Sequence, residues 1–430
     1  MMTILRKHLG EILQQDLEEL CANAARETSE LEFKGALPFQ QTKGQSETAD
    51  RWITRGDRIG EYARDKLLAE LVAFANAEGG TLVLGIEETD DEPRRARSLA
   101  PLPRCEDLAK RLSDACEDAI EPRLPIVQAL ALPLADDSGA GFVILRVGRS
   151  AGGPHRLVSD GQFYIRRGER SVKMTVREIR DAVLELARRG DVIDDIFRGR
   201  HEGDRVAFSR AWAGRRSEEA HVNLLRVTAL PVSKWSISNL TERRNLWWMG
   251  GEHECTLDGA RLRVGYPARD FDNPPHLGLR TLHYSQDQKF DRSLTADGLI
   301  EARVVNVREP QQGRVLGAVA PLYLPWVVSL VCGVLAQVEH LRRSLADDGA
   351  EFGMQLAIDA NKQLAPTWYE HGGAAREAEF RGVVFPILPV GPAAGFTDLV
   401  HVVIRDILNN CGSTFNSKVE IDWARLATGR

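Results

Sequence analysis

The spacing of apolar residues changes several times along the chain, and each change predicts an element. From Ile4 to Ala25 apolar positions recur at helical spacing among acids and bases, which predicts a soluble helix over residues 1–26. Between Glu27 and Lys34 the period drops to two. Leu31 and Phe33 alternate with Glu30, Glu32 and Lys34, as in a strand with one wet face. The polar stretch 37–52 predicts a loop. Helical spacing returns from Asp57 to Ala77, with Ile59, Ala63, Leu67, Leu71, Phe74 and Ala75 on one side. Gly79 and Gly80 end that helix, and Thr81 to Ile86 reads as a buried strand running into Glu87 and Glu88.

Farther on, a helix is predicted over Leu108 to Ile120. Strands Ile126 to Leu134 and Gly141 to Val147 flank the turn Asp136 to Gly139. Gln162 to Gly168 is a further strand. Thr175 caps a helix reaching Arg188, with Glu178 placed to close a capping box. The charged, glycine-punctuated stretch 189–205 predicts a boundary between a domain over 27–190 and a second over 206–430. The second domain reads as strands Ala220 to Leu230, Arg261 to Gly265 and Val383 to Leu388, with helices Pro325 to Leu345 and Thr397 to Asn410. Pro386 confines the last of those strands to a sheet edge. The fold class is therefore α/β in the broad sense (α+β).

Composition narrows the function classes. The 430 residues are 43% hydrophobic and 27% charged, an ordinary mixture for two or three folded domains. A net charge of -6 argues against a polybasic coat, so a nucleic-acid partner needs a local basic face. No two of the six cysteines form a Cys-x-x-Cys pair, which argues against structural zinc; in a chain this long a disulfide framework is not expected either. The apolar run Leu324 to Val338 is shorter than the ~20 residues that span a bilayer. It leads into Glu339, His340, Arg342 and Arg343, so a buried helix, no membrane partner and a cytoplasmic location are expected.

Three constellations can carry chemistry. On a strand Glu32 and Lys34 share a face, Glu27 can fold over it, and Glu87 and Glu88 end the next strand. Converging carboxylates suit a hard divalent cation, and Lys34 suits a phosphate oxygen. On spacing alone the same residues read rather as solvated charges on a strand face. Phe74 to Ile86 is a glycine-rich corner in which Asn76 can hydrogen-bond across the turn. It is not a phosphate loop, because it lacks the Gly-Lys-Ser/Thr ending and leads into a strand. His155, Arg156, Arg166, Arg167, Arg170 and Lys173 surround Phe163 and Tyr164, a basic and aromatic mixture suited to phosphates and bases, although one strand face is core.

These segments, in this order, resemble the Schlafen family and its bacterial relatives with an AlbA-like domain. The carrying residues are Glu27 with Glu32-Phe33-Lys34, then Phe74 to Gly80 with Gly85-Ile86, then Tyr164 to Gly168. The resemblance covers roughly the first 190 residues, under half of the chain. It implies a compact domain described as DNA-binding or as a divergent ATPase. Nuclease-active animal Schlafens cut transfer or ribosomal RNA with three acids and a divalent metal. The resemblance thus implies Glu27 and Glu32 as ligands of Mg²⁺ or Mn²⁺. Glu87 or Glu88 stands where the family has an aspartate.

The leading expectation is a metal-dependent endoribonuclease acting on structured RNA such as transfer RNA. Glu27, Glu32, Lys34 and Glu87 are its catalytic set. Arg156, Tyr164, Arg166, Arg167, Arg170 and Lys173 contact the nucleic acid, and Asn76, Gly79 and Gly80 shape the turn. The alternatives are a non-catalytic DNA- or RNA-binding module with a regulatory or sensor second domain, and a nucleotide-binding protein. Phage defence and pairing as a homodimer enter only by analogy with relatives.

Overall fold

The computed structural model describes residues 4–40, 52–54, 58–136, 138–233, 235–248, 254–258, 260–264, 275–286, 290–311, 316–367, 381–412 and 418–423. Most of the predicted polar loop at 37–52 and the end of the predicted strand at Gly265 lie outside the described residues. The fold is α+β, and the chain divides into two compact units, 1–189 with 342–351, and 190–341 with 352–430.

The first unit is built on a four-stranded sheet. Its elements are α1 (Gln14–Ala22), β1 (Leu31–Lys34), α2 (Glu61–Ala75), β2 (Gly79–Leu84), β3 (Ile86–Glu88), β4 (Ala96–Leu99), α3 (Cys105–Ala119), β5 (Val127–Pro133) and β6 (Gly141–Gly148). The strand order is β1-β2-β6-β5. β1 runs parallel to β2, with Glu32 opposite Leu82 and Lys34 opposite Leu84; the other pairs are antiparallel. β2 is covered on both faces, so its run is continuously apolar rather than alternating. Leu82 and Leu84 pack with Leu67, Leu71 and Phe74 of α2 and Leu108 of α3. Leu31, Phe33 and Val83 pack on the other face with Ile4, Ile12, Leu17 and Leu20.

The N-terminal segment is not one helix. Two 3-10 turns, Ile4–Arg6 and Leu9–Glu11, precede α1. The His8 ring accepts from Gly10 N–H at 3.1 Å, and Leu13 is extended, so the chain restarts at α1 with Asp16 Oδ2 accepting from Leu13 N–H. Buried Arg146 ties this segment to the sheet. Its guanidinium donates to the carbonyls of Ile4 and Lys7, to Thr81 and to Asp348 Oδ2, while the same Asp348 oxygen accepts from Leu9 N–H.

The corner between α2 and β2 needs its glycines. Gly79 has φ +85°, which an L side chain rarely adopts, and a Cβ on Gly80 would stand 2.2 Å from the Phe74 ring. A Gly80→Ala protein is expected to lose about 1–3 kcal/mol of stability to overpacking, measured by urea denaturation.

Two more strands follow, β7 (Tyr164–Arg167) and β8 (Arg170–Lys173), an antiparallel hairpin. Then α4 (Val176–Ala213) begins at the predicted capping box: Thr175 Oγ1 accepts from Glu178 N–H at 3.3 Å, and Glu178 Oε2 accepts from Thr175 N–H at 2.7 Å. The helix does not stop at Arg188. It runs through 189–205, because no proline interrupts it and isolated glycines weaken a helix without ending it.

The second unit holds an eight-stranded antiparallel sheet. It contains β9 (His221–Pro231), β10 (Thr281–Gln286), β11 (Phe290–Thr295) and β12 (Ile300–Arg308). After β13 (Val319–Tyr323) come α5 (Leu324–Leu345), β14 (Phe352–Ala360), β15 (Gln363–Thr367), β16 (Gly382–Val384), β17 (Leu388–Val390) and α6 (Phe396–Asn410). The predicted strand Val383 to Leu388 is in fact two, β16 and β17, both pairing with β14, because Pro386 cannot donate to the ladder. α5 has 22 residues, longer than its apolar run implied, and by length and composition it could cross a membrane; 89% of its apolar window is buried within the protein.

Candidate metal and nucleic-acid site

Three carboxylates meet at the end of β1. The strand alternation sends Leu31 and Phe33 into one core and leaves Glu32 and Lys34 on the other face. Glu27 folds back over β1, where its Oε1 accepts the Phe33 N–H at 3.0 Å and its own N–H donates to the Arg94 carbonyl at 3.1 Å. Glu88 arrives from β3. The register of β3 against β4 shifts between Glu87 and Glu88, a bulge that turns these neighbours apart. Glu88 faces Lys34 Nζ at 3.6 Å and accepts from Arg94 at 2.5 Å. One oxygen each from Glu27, Glu32 and Glu88 all lie within 4.8 Å of one another.

Glu87 is not part of this group, which corrects its place in the expected catalytic and metal set. Its side chain is 43% exposed and accepts from Arg97 at 2.9 Å and Ser98 at 2.8 Å. Those donors hold its carboxyl below the ordinary range.

The charges in the cluster are strongly coupled. Burial, then the charge of Glu32, pushes Glu27 up to about 8; the Phe33 N–H and Lys34 oppose this, and a hydrogen bond with Glu88 adds to it. Burial works against the Lys34 ammonium, but Glu32, to which it donates, together with Glu88 and Glu27 outweighs that cost and raises its pKa. Behind them Arg166 Nη1 reaches Glu32 Oε2 and Glu70 Oε2, both at 3.0 Å, and Nη2 reaches the Thr28 carbonyl at 2.9 Å. The guanidinium carbon also lies 4.8 Å from the centre of the Phe74 ring. Burial raises the Glu70 carboxyl, and so does the charge of Glu32.

The donor set fits a hard divalent cation. Three carboxylates converge, Glu27 and Glu32 are buried, and Glu88 Oε2 is a buried oxygen with Lys34 Nζ at 3.6 Å. Lys34 Nζ lies beside them, ion-paired with Glu32.

The predicted basic cluster separates into two groups. Arg166, only 1% exposed, is committed to Glu32 and Glu70, so it is not a surface phosphate contact; the expectation that it touches nucleic acid is corrected. Arg156, Arg167 and Arg170 are 43%, 53% and 70% exposed and pair with Glu121, Glu178 and Glu92. Exposed pairs of this kind are weak and can yield to phosphate. Lys173 is exposed, with no ion pair among the described residues. Tyr164 is half-buried, and its hydroxyl donates to Asp160; burial first, then this contact, raises its pKa. Asn76 does more than close its own turn. It donates to the carbonyls of His155 and Tyr164, both at 2.8 Å, and accepts from His155 N–H at 2.7 Å, so it pins β7 to α2.

Residues 27–175 match the family described as Schlafen, AlbA_2. The family suggests nucleic-acid binding. A solution NMR structure, the N-terminal domain of a RecG-related protein from Nitrosomonas europaea, is similar at 19% identity and TM-score 0.17. That likeness covers 20% of this chain and 55% of that one, so the chain spans about half the length of the structure it matches. No curated protein matches the chain.

The matched segment contains Glu27, Glu32, Lys34, Glu88 and Arg166, and also neighbours of the carboxylate cluster that sequence reasoning missed. Glu70 had a legible signal: it lies between Leu67 and Phe74, at helical spacing from both on an apolar face. Arg94, Thr28 and Ser171, whose hydroxyl contacts Glu70, had none, since each is brought in by a turn or a hairpin.

Proposed function

We propose that this chain is a Schlafen-type nucleic-acid-binding protein whose AlbA_2 domain is a metal-dependent endoribonuclease for structured RNA such as transfer RNA. The observation that carries this reading is the convergence of Glu27, Glu32 and Glu88 within 4.8 Å, with Lys34 beside them. These three acids would hold Mg²⁺ or Mn²⁺, which supplies a Lewis acid and an activated water for phosphodiester hydrolysis. The chain's own residues do the rest. Lys34 neutralises a phosphate oxygen, Arg166 holds Glu32 in place, and Arg156, Arg167, Arg170 and Lys173 follow the RNA backbone. Incubation with total transfer RNA and Mn²⁺ should give discrete fragments, and chelator should stop it. Salt-dependent binding without cleavage, indifferent to chelator, would establish the second reading, a non-catalytic module. The Glu32 pairs with Arg166 and Lys34 favour that reading, since they compete with a cation.

Metal binding should depend on pH with a defined sign. Glu27, at about 8, is held above its ordinary 4.5, so the metal-free fold prefers it protonated. That contribution to stability is complete below the ordinary carboxyl range and is lost as pH rises through about 8. A cation must displace the proton, so its apparent affinity should rise up to about tenfold per pH unit below that point and level off above it. Thermal melts should show Mn²⁺ raising Tm more at pH 8.5 than at pH 6; equal shifts at both would count against Glu27 as a ligand.

A further inference from the structure

The covered face of β11 carries a cation in the second unit. Strand alternation puts Arg292 on the same side as Phe290 and Leu294, and it is only 7% exposed. Its guanidinium carbon lies 4.4 Å from the centre of the Trp247 ring and 5.3 Å from that of Trp248. Both tryptophans are buried and follow the 3-10 turn Arg244–Leu246. Gln337 of α5 holds the arrangement. Its Oε1 accepts from Arg292 Nη2 at 2.7 Å and from Trp248 N–H at 2.8 Å, and its Nε2 donates to the Leu246 carbonyl at 2.7 Å. What this group lacks is a negative charge. Arg292 makes no ion pair among the described residues, and the bond to Gln337 is the one hydrogen bond it donates there. Arg146, Arg166 and Arg226 are as buried, and each meets a carboxylate. Burial pulls the Arg292 pKa down to about 9 and no acid raises it, so the group is still charged at neutral pH. Indole faces recover part of the cost of burying a cation, and a well-placed anion recovers more.

We propose that Arg292 anchors a site for a small oxyanion, the carboxylate or phosphate group of a ligand. The guanidinium still has N–H groups without a partner among the described residues, in the fork geometry that takes two oxygens of one anion side by side. Trp247 and Trp248 fix the plane of that fork, and Gln337 fixes its rotation, so the donors are set before the anion arrives. The anion supplies the countercharge that this part of the fold does not. The site shares no residue with the carboxylate cluster of the first unit, and it stands whether or not that cluster cuts RNA.

The test is titration of the full chain with inorganic phosphate and, separately, with acetate, at an ionic strength held constant with chloride. Tryptophan emission is the readout, because two indole rings lie against the guanidinium. At least one anion is expected to change the emission saturably, with Kd below about 10 mM, and to raise Tm over the same range. The anion that saturates at the lower concentration tells a phosphate site from a carboxylate site. Arg292→Met should abolish both responses. Arg292→Lys keeps a charge but loses the fork, and should weaken binding about tenfold; it serves if the methionine variant does not fold. Indifference of the emission and of Tm to both anions would overturn the proposal and leave the two tryptophans as a structural clamp. So would a response that Arg292→Met or Arg292→Lys leaves at full affinity.

Discussion

A Glu27→Gln protein is expected to lose metal-dependent RNA cleavage by at least about a hundredfold while its Tm at pH 7 stays the same or rises. The two effects part because Glu27, at about 8, is largely protonated in the metal-free fold at neutral pH. Glutamine has nearly the same shape as a protonated glutamate. Its amide oxygen can accept the Phe33 N–H, as Glu27 Oε1 does, and its amino group can donate toward Glu88 as the carboxyl proton does. Nothing the metal-free fold uses is removed. What disappears is the negative charge that a cation needs. Cleavage of transfer RNA with Mn²⁺ and a thermal melt on the same preparation measure both quantities. Glu87→Gln is the control and should cleave normally, since that side chain faces Arg97 and Ser98 outside the cluster. Retention of cleavage by Glu27→Gln would end the site assignment, and loss of cleavage in Glu87→Gln would mean that the wrong third acid has been chosen.

An Arg166→Met protein should be less stable by about 3–5 kcal/mol, the usual cost of removing one partner from a buried ion pair. Arg166 is the shared donor to Glu32 and Glu70, and it also holds the Thr28 carbonyl in the turn before β1. Methionine keeps much of the packing against Phe74 but leaves two carboxylates facing each other in a low-dielectric site. Urea denaturation gives the number, and a loss under about 1 kcal/mol would show that water reaches these groups after all. Arg167→Met and Arg170→Met, one and four residues on, should leave stability unchanged. Each should instead weaken nucleic-acid binding and reduce its salt dependence by about one phosphate contact. Arginines on one hairpin thus divide into a buried residue and exposed ones.

That division shows how far local pattern reaches. The period of two from Glu30 to Lys34 is enough to place Glu32 and Lys34 on one face of a strand, and the structure has them there. Glycines at 79 and 80 are enough to announce a corner, and Thr175 with Glu178 a helix start. Each rests on neighbours within four residues, whose relative directions the backbone geometry itself imposes. Other features had no such local signature. A register shift against β4 selects Glu88 over Glu87, and that strand lies beyond an intervening turn. Arg166 turns inward because Glu70 on α2 and Glu32 on β1 wait behind β7, a meeting of three segments spread over more than 130 residues.

By itself, then, the sequence determined the α+β class, the central strands and helices α2 and α3 of the first unit, and a short set of acids and bases from which the cluster is drawn. The tertiary structure alone decided which of those charges face one another. The reason is physical: side-chain periodicity is set by the backbone over one or two turns, whereas burial and charge pairing depend on which distant segment covers each face. The Glu27 carboxyl is pushed above its ordinary range, and Arg166 is kept from the surface, only because of that covering.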